Sequence, residues 1–307
     1  TTLVEPGDEV VAVTPTYQQL QSIPAALGAT VKLLPLKKVN QFKPDPKELK
    51  AMVTDKTKLI VINNPDNPTG ALMSAEELKQ IVEIAKSVNA YVLCDEVYRH
   101  LNQAEGYTPS IIDLYPKSIS TSSMSKVFSL AGLRLGWIAT HDKELMAQIL
   151  AHRDYSTISC SILDEMVATV ALQNKDKIIK RNRQIVHDNL QILSHWVDSQ
   201  PHISWVKPQA GTTALLYYDF DLPSSKFCKR LIDEYQTLLV PGSCFGIEHS
   251  CRIGYAFESE NLKNGLRQVA KLIQELNNRS DWLLKARYRT KFSVIADPYL
   301  ILPTQLV

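Results

Sequence analysis

The order of apolar and polar residues along the first 140 positions predicts a series of buried strands. Short runs rich in β-branched and apolar residues recur there, each with the length of a strand that is covered on both faces. They lie at residues 9–13, 30–34, 59–62, 91–94, 118–122 and 136–140. The pattern therefore predicts a central sheet in the first half of the chain.

Helical stretches separate several of these runs. The clearest covers residues 75–88, where apolar side chains recur every three or four positions and Ser74 with Glu77 forms a capping box. Strands that alternate with helices are typical of an α/β fold, with a mainly parallel sheet that carries helices on both faces.

The second half of the chain has a different pattern. Residues 145–197 are polar and favour helices, and we interpret their basic cluster as a solvated helix face; it consists of Lys175, Lys177, Lys180, Arg181 and Arg183. Strands return at residues 203–206, 213–218 and 251–256, with helices predicted over 226–238 and 261–276. We expect a large domain over residues 1–180, a smaller α+β domain over 181–279 and a tail over 280–307 to which no role is assigned.

Composition and charge exclude several classes of partner. The 307 residues contain 34 Lys and Arg against 32 Asp and Glu, so the chain lacks the basic excess that favours nucleic acid. No apolar run approaches the roughly 18 residues needed to span a membrane. The five cysteines have no C-x-x-C spacing, which indicates reduced thiols in the cytoplasm, and no metal site is predicted.

Three segments carry candidate chemistry, although each taken alone also has a purely structural explanation. The turn-rich run NNPDNPTG, residues 63–70, follows the third predicted strand. CDEVY, residues 94–98, brings Asp95 and Tyr98 to the carboxyl edge of the sheet, where open α/β folds bind ligands. SSMSK ends at Lys126 and is followed by Arg134; a lysine beside a basic group and small hydroxyl residues suits a Schiff-base amine.

The order NNPDNPTG, DEVY and SMSKVFSLAGLRLGW resembles the class I and II pyridoxal-phosphate aminotransferases of fold type I, from residue 1 to about residue 276. The resemblance implies that Lys126 holds pyridoxal 5'-phosphate as an internal aldimine and moves the substrate proton. It implies that Asp95 pairs with the ring nitrogen, and that Tyr98 and Asn67 bind the phenolic oxygen. Lys126, Asp95 and Tyr98 are thus the implied catalytic residues.

Further roles are implied by the same resemblance. Ser123 and Arg134 would bind the phosphate, with Ser125 as a weaker candidate. Tyr17 would stack on the ring, and Arg252 with Asn67 would bind the substrate, the arginine through its α-carboxylate.

The family also seats the phosphate on a helix N-terminus that comes before the strand at residues 9–13. That turn would lie upstream of Thr1, so we expect an N-terminally incomplete member of the family.

The expected protein is a cytoplasmic homodimer that moves an amino group from an amino acid to a 2-oxo acid by ping-pong chemistry. A carbon-sulfur β-lyase or a cyclising or eliminating enzyme would use the same residues, and an inactive binding form is a third possibility. The sequence does not predict which substrate side chain is recognised.

Overall fold

The structure, a computed structural model, describes residues 1–104 and 108–292, with side chains as far as residue 278. A six-stranded sheet has the order β2-β1-β3-β4-β5-β6. Its strands are β1 (Glu9–Thr14), β2 (Thr30–Pro35), β3 (Thr57–Asn63), β4 (Tyr91–Asp95), β5 (Ser118–Ser123) and β6 (Gly136–Ala139). The first five are parallel and β6 runs antiparallel to β5, which confirms the predicted mainly parallel sheet.

The two faces of this sheet are covered by different helices because successive residues of a strand point to opposite sides. On one face, Val11 of β1 packs in a core cluster with Leu78 and Ile81 of α3 (Ala75–Ser87). On the other face, Val10 packs with Leu20 of α1 (Gln19–Ala26). The remaining helix of this region is α2 (Pro46–Met52).

A second, antiparallel sheet follows three consecutive helices. The helices are α4 (Lys143–Ser156), α5 (Ile162–Gln173) and α6 (Lys175–Asp198). The sheet has the order β7-β8-β10-β9, from β7 (Ile203–Trp205), β8 (Thr213–Tyr218), β9 (Val240–Pro241) and β10 (Ser250–Gly254). Together with α7 (Ser224–Tyr235) and α8 (Ser259–Phe292), it surrounds a core of its own, as expected for a smaller α+β unit.

Helix α6 contributes to both cores. Near its start, Ile178 and Ile179 pack against a cluster that contains Val127, and further along Leu190 and Leu193 are buried in the core of the smaller unit. The expected domain limit at position 180 therefore lies within a continuous helix.

Helix α8 is longer than predicted, because it continues beyond Leu276 to Phe292. The sequence from Leu266 to Phe292 contains neither glycine nor proline, so it lacks the residues that most often end a helix. The first part of the predicted tail therefore belongs to α8, and its remainder, residues 293–307, lies outside the described residues.

Further properties concern the described part of the chain as a whole. All five cysteines are free thiols. Within the described ranges, no helix combines the length and the apolar character needed to cross a membrane. The same ranges contain no group of three or more His, Cys, Asp or Glu side chains that could hold a metal ion.

Candidate active site

A cleft of about 1260 Å³ opens where the carboxyl ends of β4 and β5 face β10 and α6. It is lined by every residue for which the sequence predicted a role, although these residues come from distant parts of the chain. They are Tyr17, Asn67, Asp95, Tyr98, Ser123, Ser125, Lys126, Arg134 and Arg252.

Asp95 is the last residue of β4, and its carboxylate faces the cleft. The pKa of this carboxyl group is raised to about 6; burial is the main cause and the nearby charge of Glu96 adds to it, while the Val97 amide and the Lys126 charge partly oppose the rise. Its Oδ1 accepts a hydrogen bond from the Val97 amide at 3.1 Å. Among the described residues no partner is found for Oδ2, so the carboxylate can accept a proton or a cationic donor from the cleft.

The neighbouring carboxylate of Glu96 has a different surrounding. It is buried, and it accepts hydrogen bonds from the Ser110 hydroxyl at 2.8 Å and from the Ile111 amide at 2.7 Å. Adjacent residues at a strand end point in opposite directions. Of the two acids in the DEVY run, only Asp95 therefore lines the cleft.

Lys126 lies in the turn after β5 and extends into the cleft. Its Nζ is 6.0 Å from the centre of the Tyr98 ring. The Tyr98 side chain is buried, which raises the pKa of its phenol, and the Thr212 hydroxyl and the Arg252 charge partly oppose that rise. The amine and the phenol thus share one wall of the cleft.

The loop after β3 is fixed to β4 through Asn63. The Asn63 side chain accepts the Asn67 amide at 2.8 Å and donates to the Asp95 carbonyl at 2.8 Å. The side-chain oxygen of Asn67 in turn accepts a hydrogen bond of 3.1 Å from the Arg252 guanidinium on β10. One contact between residues 185 positions apart thus joins the two units at the cleft.

Close packing of this loop depends on Gly70, which has a φ of +72°. A Cβ atom here would lie 2.5 Å from Pro208 Cβ and 2.9 Å from the Thr213 carbonyl oxygen. Because only glycine avoids both the contact and the strained backbone, it allows the loop to approach the segment before β8.

Ser123, another residue of the lining, ends β5, and its hydroxyl accepts the Ser125 amide at 3.2 Å. Arg134 is exposed, and its guanidinium donates to the Ala131 carbonyl at 2.7 Å, which leaves most of its donors available. Tyr17, which follows β1, is 42% exposed. An anionic group in this part of the cleft would meet hydroxyl and guanidinium donors.

Several residues of the cleft were not predicted from the sequence. Arg181 belongs to the basic cluster that we interpreted as solvated; it is exposed, but it also lines the cleft, as does Asn182. Thr212 and Glu258 line it as well. The spacing of Asn182 from Val186, Leu193 and Val197 on the buried face of α6 is the signal that marks it as a buried polar residue.

The charges of the cleft fit pyridoxal phosphate. Its lining contains the cations Lys126, Arg134, Arg181 and Arg252 against two carboxylates, Asp95 and Glu258. An excess of two positive charges suits a dianionic phosphate and a substrate carboxylate. The raised pKa of Asp95 suits pairing with a protonated ring nitrogen, which would replace the water lost on burial.

Comparison with known proteins identifies the family. A family model described as aminotransferase class I and II matches residues 1–269. A capreomycidine synthase from Streptomyces vinaceus is 32% identical over 86% of this chain and 68% of its own length. An aspartate aminotransferase from Pyrococcus horikoshii is 28% identical over 89% of this chain and 71% of its own length.

The fold comparison agrees with the sequence comparison. The crystal structure of a PLP-dependent aminotransferase from Streptococcus suis matches with a TM-score of 0.87 and 40% identity, over 90% of this chain and 73% of that one. The resemblance seen in the three motifs is therefore confirmed over most of the chain. The chain belongs to the class I and II aminotransferases, and its cofactor is pyridoxal phosphate.

Proposed function

We propose that this protein moves an amino group from an amino acid to a 2-oxo acid. The observation that carries the proposal is the convergence of the Lys126 amine, the Asp95 carboxylate and the Arg252 guanidinium on one cleft, each from a different element. An amine, an acid and a carboxylate-binding fork are the groups that this reaction requires.

The cleft residues divide into those that would hold the cofactor and those that would bind the substrate. Lys126 would bind the cofactor covalently, Asp95 its ring nitrogen, and Tyr98 with Asn67 its phenolic oxygen. Ser123 and Arg134, with Ser125 in support, would bind the phosphate, and Tyr17 would lie against the ring. When bound, the cofactor supplies an electron sink for the pair left on the substrate α-carbon after deprotonation.

Proton transfer is the task of Lys126. Its amine would remove the proton from the substrate α-carbon and return a proton during the second half of the reaction. Arg252 would hold the α-carboxylate with two parallel hydrogen bonds, because a planar guanidinium fixes a carboxylate in orientation as well as in position. The Arg252 contact to Asn67 at 3.1 Å supports this role, since it directs the guanidinium toward the cofactor side of the cleft.

The reaction would occur in two halves. In the first, the amino acid gives up its amino group to the enzyme and leaves as a 2-oxo acid. In the second, a different 2-oxo acid takes the group and leaves as an amino acid.

Single-turnover measurements test this proposal. Holoenzyme mixed with candidate amino donors, without an acceptor, should release one 2-oxo acid per site with no free ammonia, and the cofactor absorbance should change once. Adding a 2-oxo acid should restore the original absorbance. Continuous release of ammonia without an acceptor would contradict transamination.

A second candidate is a cyclising or eliminating reaction on the same residues, including carbon-sulfur β-elimination. The 32% identity to a protein named capreomycidine synthase favours it, because that name is not one of an aminotransferase. Such an enzyme would turn over repeatedly on a single substrate, whereas an aminotransferase stops after one half-reaction.

We also propose that the protein is a cytoplasmic homodimer. Helix α5 exposes Leu163, Met166, Val167 and Val170 at helical spacing on one face, and a continuous apolar face of this kind favours association with a second copy. The five free thiols suit a reducing compartment.

A further inference from the structure

Helix α6 carries two buried asparagines on the face that packs against the rest of the protein. Asn182 and Asn189 are 5% and 0% exposed. They are seven residues apart, which is about two turns and about 10 Å along the axis of a helix. Their neighbours on the same face are apolar, including Val186 and Leu193. A buried amide is stable only when hydrogen bonds satisfy it, so its partners indicate why it is present.

Asn182 binds the segment that carries the proposed catalytic lysine. Its side-chain nitrogen donates to the carbonyl of Val127 at 2.8 Å, and its oxygen accepts from the guanidinium of Arg181 at 2.8 Å. Val127 follows Lys126 directly and is itself buried. The asparagine therefore fixes the backbone one residue away from the amine.

Asn189 binds the segment that follows the proposed carboxylate-binding arginine. Its side-chain nitrogen donates to the carbonyls of Tyr255 at 2.7 Å and Phe257 at 2.6 Å, and its oxygen accepts from the Ser259 hydroxyl at 2.7 Å. Tyr255 lies three residues after Arg252, just beyond the end of β10. All the hydrogen-bonding atoms of the side chain but one lone pair are thus used on this segment.

We propose that Asn182 and Asn189 are positioning residues that, through the rigid length of α6, set the distance between Lys126 and the carboxylate-binding Arg252. The inference rests on the roles proposed for those two residues. A helix is a stiff spacer, and each asparagine attaches one of the two segments to a fixed point along it. Leu193 is equally buried on the same helix but is an apolar core residue without a hydrogen-bonding side chain, so packing alone does not require asparagine at the other two positions.

Steady-state kinetics of the holoenzyme separate the two roles. Asn182→Leu should lower kcat about 10- to 100-fold with little change in KM, because displacement of the amine by a fraction of an ångström impairs proton transfer. It should also move the pH at which the bound cofactor changes its absorbance. Asn189→Leu should raise KM for α-carboxylate substrates about tenfold or more and leave that pH unchanged. Leu193→Ala, the matched core control, should lower thermal stability without this division between kcat and KM.

Hydrogen exchange in the cofactor-free protein gives a readout that does not depend on activity. Asn182→Leu should speed exchange at the amides of Ser129 and Leu130, which are hydrogen-bonded within the Lys126 turn. Asn189→Leu should instead speed exchange at the amide of Tyr255, which donates to the Thr212 carbonyl. If a leucine variant does not fold, the near-isosteric Asn182→Asp or Asn189→Asp, which also removes the donors, is measured in its place.

The results separate this inference from the proposed function. Two outcomes would overturn the inference, because they would show that the asparagines only stabilise the fold. One is faster exchange at both segments in both asparagine variants. The other is the same fall in kcat and the same rise in KM in Asn182→Leu, Asn189→Leu and Leu193→Ala. If the unaltered protein does not transaminate but each variant loosens only its own segment, the proposed function fails while the positioning role of α6 is supported.

Discussion

At the scale of single residues, the cleft holds a carboxylate whose ionised form is disfavoured by burial. The pKa of Asp95 is about 6, compared with 3.8 for an exposed aspartate. Between these values the folded chain keeps a proton that the unfolded chain has lost. The free energy of unfolding therefore falls as pH rises from about 4 to 6, and it stays lower above that range. A residue suited to pair with a cationic ring nitrogen thus destabilises the cofactor-free protein.

Asp95→Asn should remove this penalty. At about 1.4 kcal/mol per pKa unit, the cofactor-free variant should exceed the unaltered protein in stability by up to roughly 2–3 kcal/mol at pH 7. The difference should shrink toward zero near pH 4, and the variant should bind cofactor more weakly. Urea unfolding of both cofactor-free proteins from pH 4 to pH 7 measures this difference in the free energy of unfolding. A difference that does not depend on pH would contradict the raised pKa of Asp95.

Lys126 is predicted to carry the cofactor. Borohydride reduction of the holoenzyme should add the mass of the reduced cofactor to the peptide that contains Lys126. Lys126→Ala should not be labelled, and its kcat should fall about 10²–10⁴-fold, the range that a general acid or base contributes. Lys117, which pairs with Asn89 on the surface, offers a matched control, and Lys117→Ala should keep both. Label on any other lysine would refute the assignment.

Arg252 is predicted to bind the substrate carboxylate through two parallel hydrogen bonds. Arg252→Lys keeps the charge but loses the two parallel donors, so KM for amino acids should rise about 10- to 100-fold while the cofactor stays bound. Arg267, an exposed arginine of α8 that pairs with Glu260, is a suitable control, and Arg267→Lys should leave KM unchanged. An unaltered KM in Arg252→Lys would remove the arginine from the substrate site.

At the scale of elements, the loop after β3 must approach the segment that precedes β8. Gly70 makes this possible, because a Cβ would meet Pro208 at 2.5 Å and the backbone has a φ of +72°. Gly265, within α8, is different: its nearest neighbour for an added Cβ is the Thr237 methyl at 3.9 Å. The two glycines should therefore respond to alanine in opposite directions.

Gly70→Ala should lower the free energy of unfolding by about 1–3 kcal/mol, since both contact and backbone oppose the side chain. Gly265→Ala should raise it by up to about 1 kcal/mol, because alanine is favoured over glycine within a helix. Chemical denaturation of the two variants beside the unaltered protein gives both values. Stabilisation by Gly70→Ala would show that the loop does not pack as described.

The elements differ in how well the sequence predicts them. The β-branched runs predicted the positions of all six strands of the large sheet, because apolar and β-branched side chains favour strands. The expectation that every strand is buried was wrong for β2 and β6, whose residues are mostly exposed or half-buried, because these two strands are the edges of the sheet. The predicted end of α8, at residue 276, was wrong by 16 residues, because the apolar spacing weakens there while the helix continues to Phe292. Helix ends that lack a glycine or proline leave little local signal.

At the scale of the whole molecule, α5 presents an exposed apolar face that a second copy could cover. Leu163 and Met166 are 70% and 62% exposed. Leu163→Glu combined with Met166→Glu should shift the mass measured by light scattering from two chains to one at micromolar concentration, because buried charge opposes association. Ile232→Glu, at an exposed apolar position of α7, should leave the mass unchanged. A dimer that persists in the double variant would move the interface elsewhere.

The α/β class, the family and the candidate residues of the cleft could all be predicted from the sequence. Each of those signals is local. A run of apolar residues predicts a buried strand from its own sequence, and a motif such as NNPDNPTG or SMSK lies directly after its strand. Parallel strands then bring their carboxyl ends to one edge, so Asp95 and Lys126 could be predicted as neighbours without any knowledge of their contacts.

The way in which the two units meet could not be predicted from the sequence and is seen in the packing of the whole chain. The contact between Arg252 and Asn67 joins residues 185 positions apart, and the place of Arg181 in the cleft depends on how α6 crosses from one core to the other. Neither has a local pattern, because a side chain's partner across a cleft is set by the packing of whole elements and not by the residues beside it. The same packing brings Asn182 and Asn189 to the two segments that hold Lys126 and Arg252.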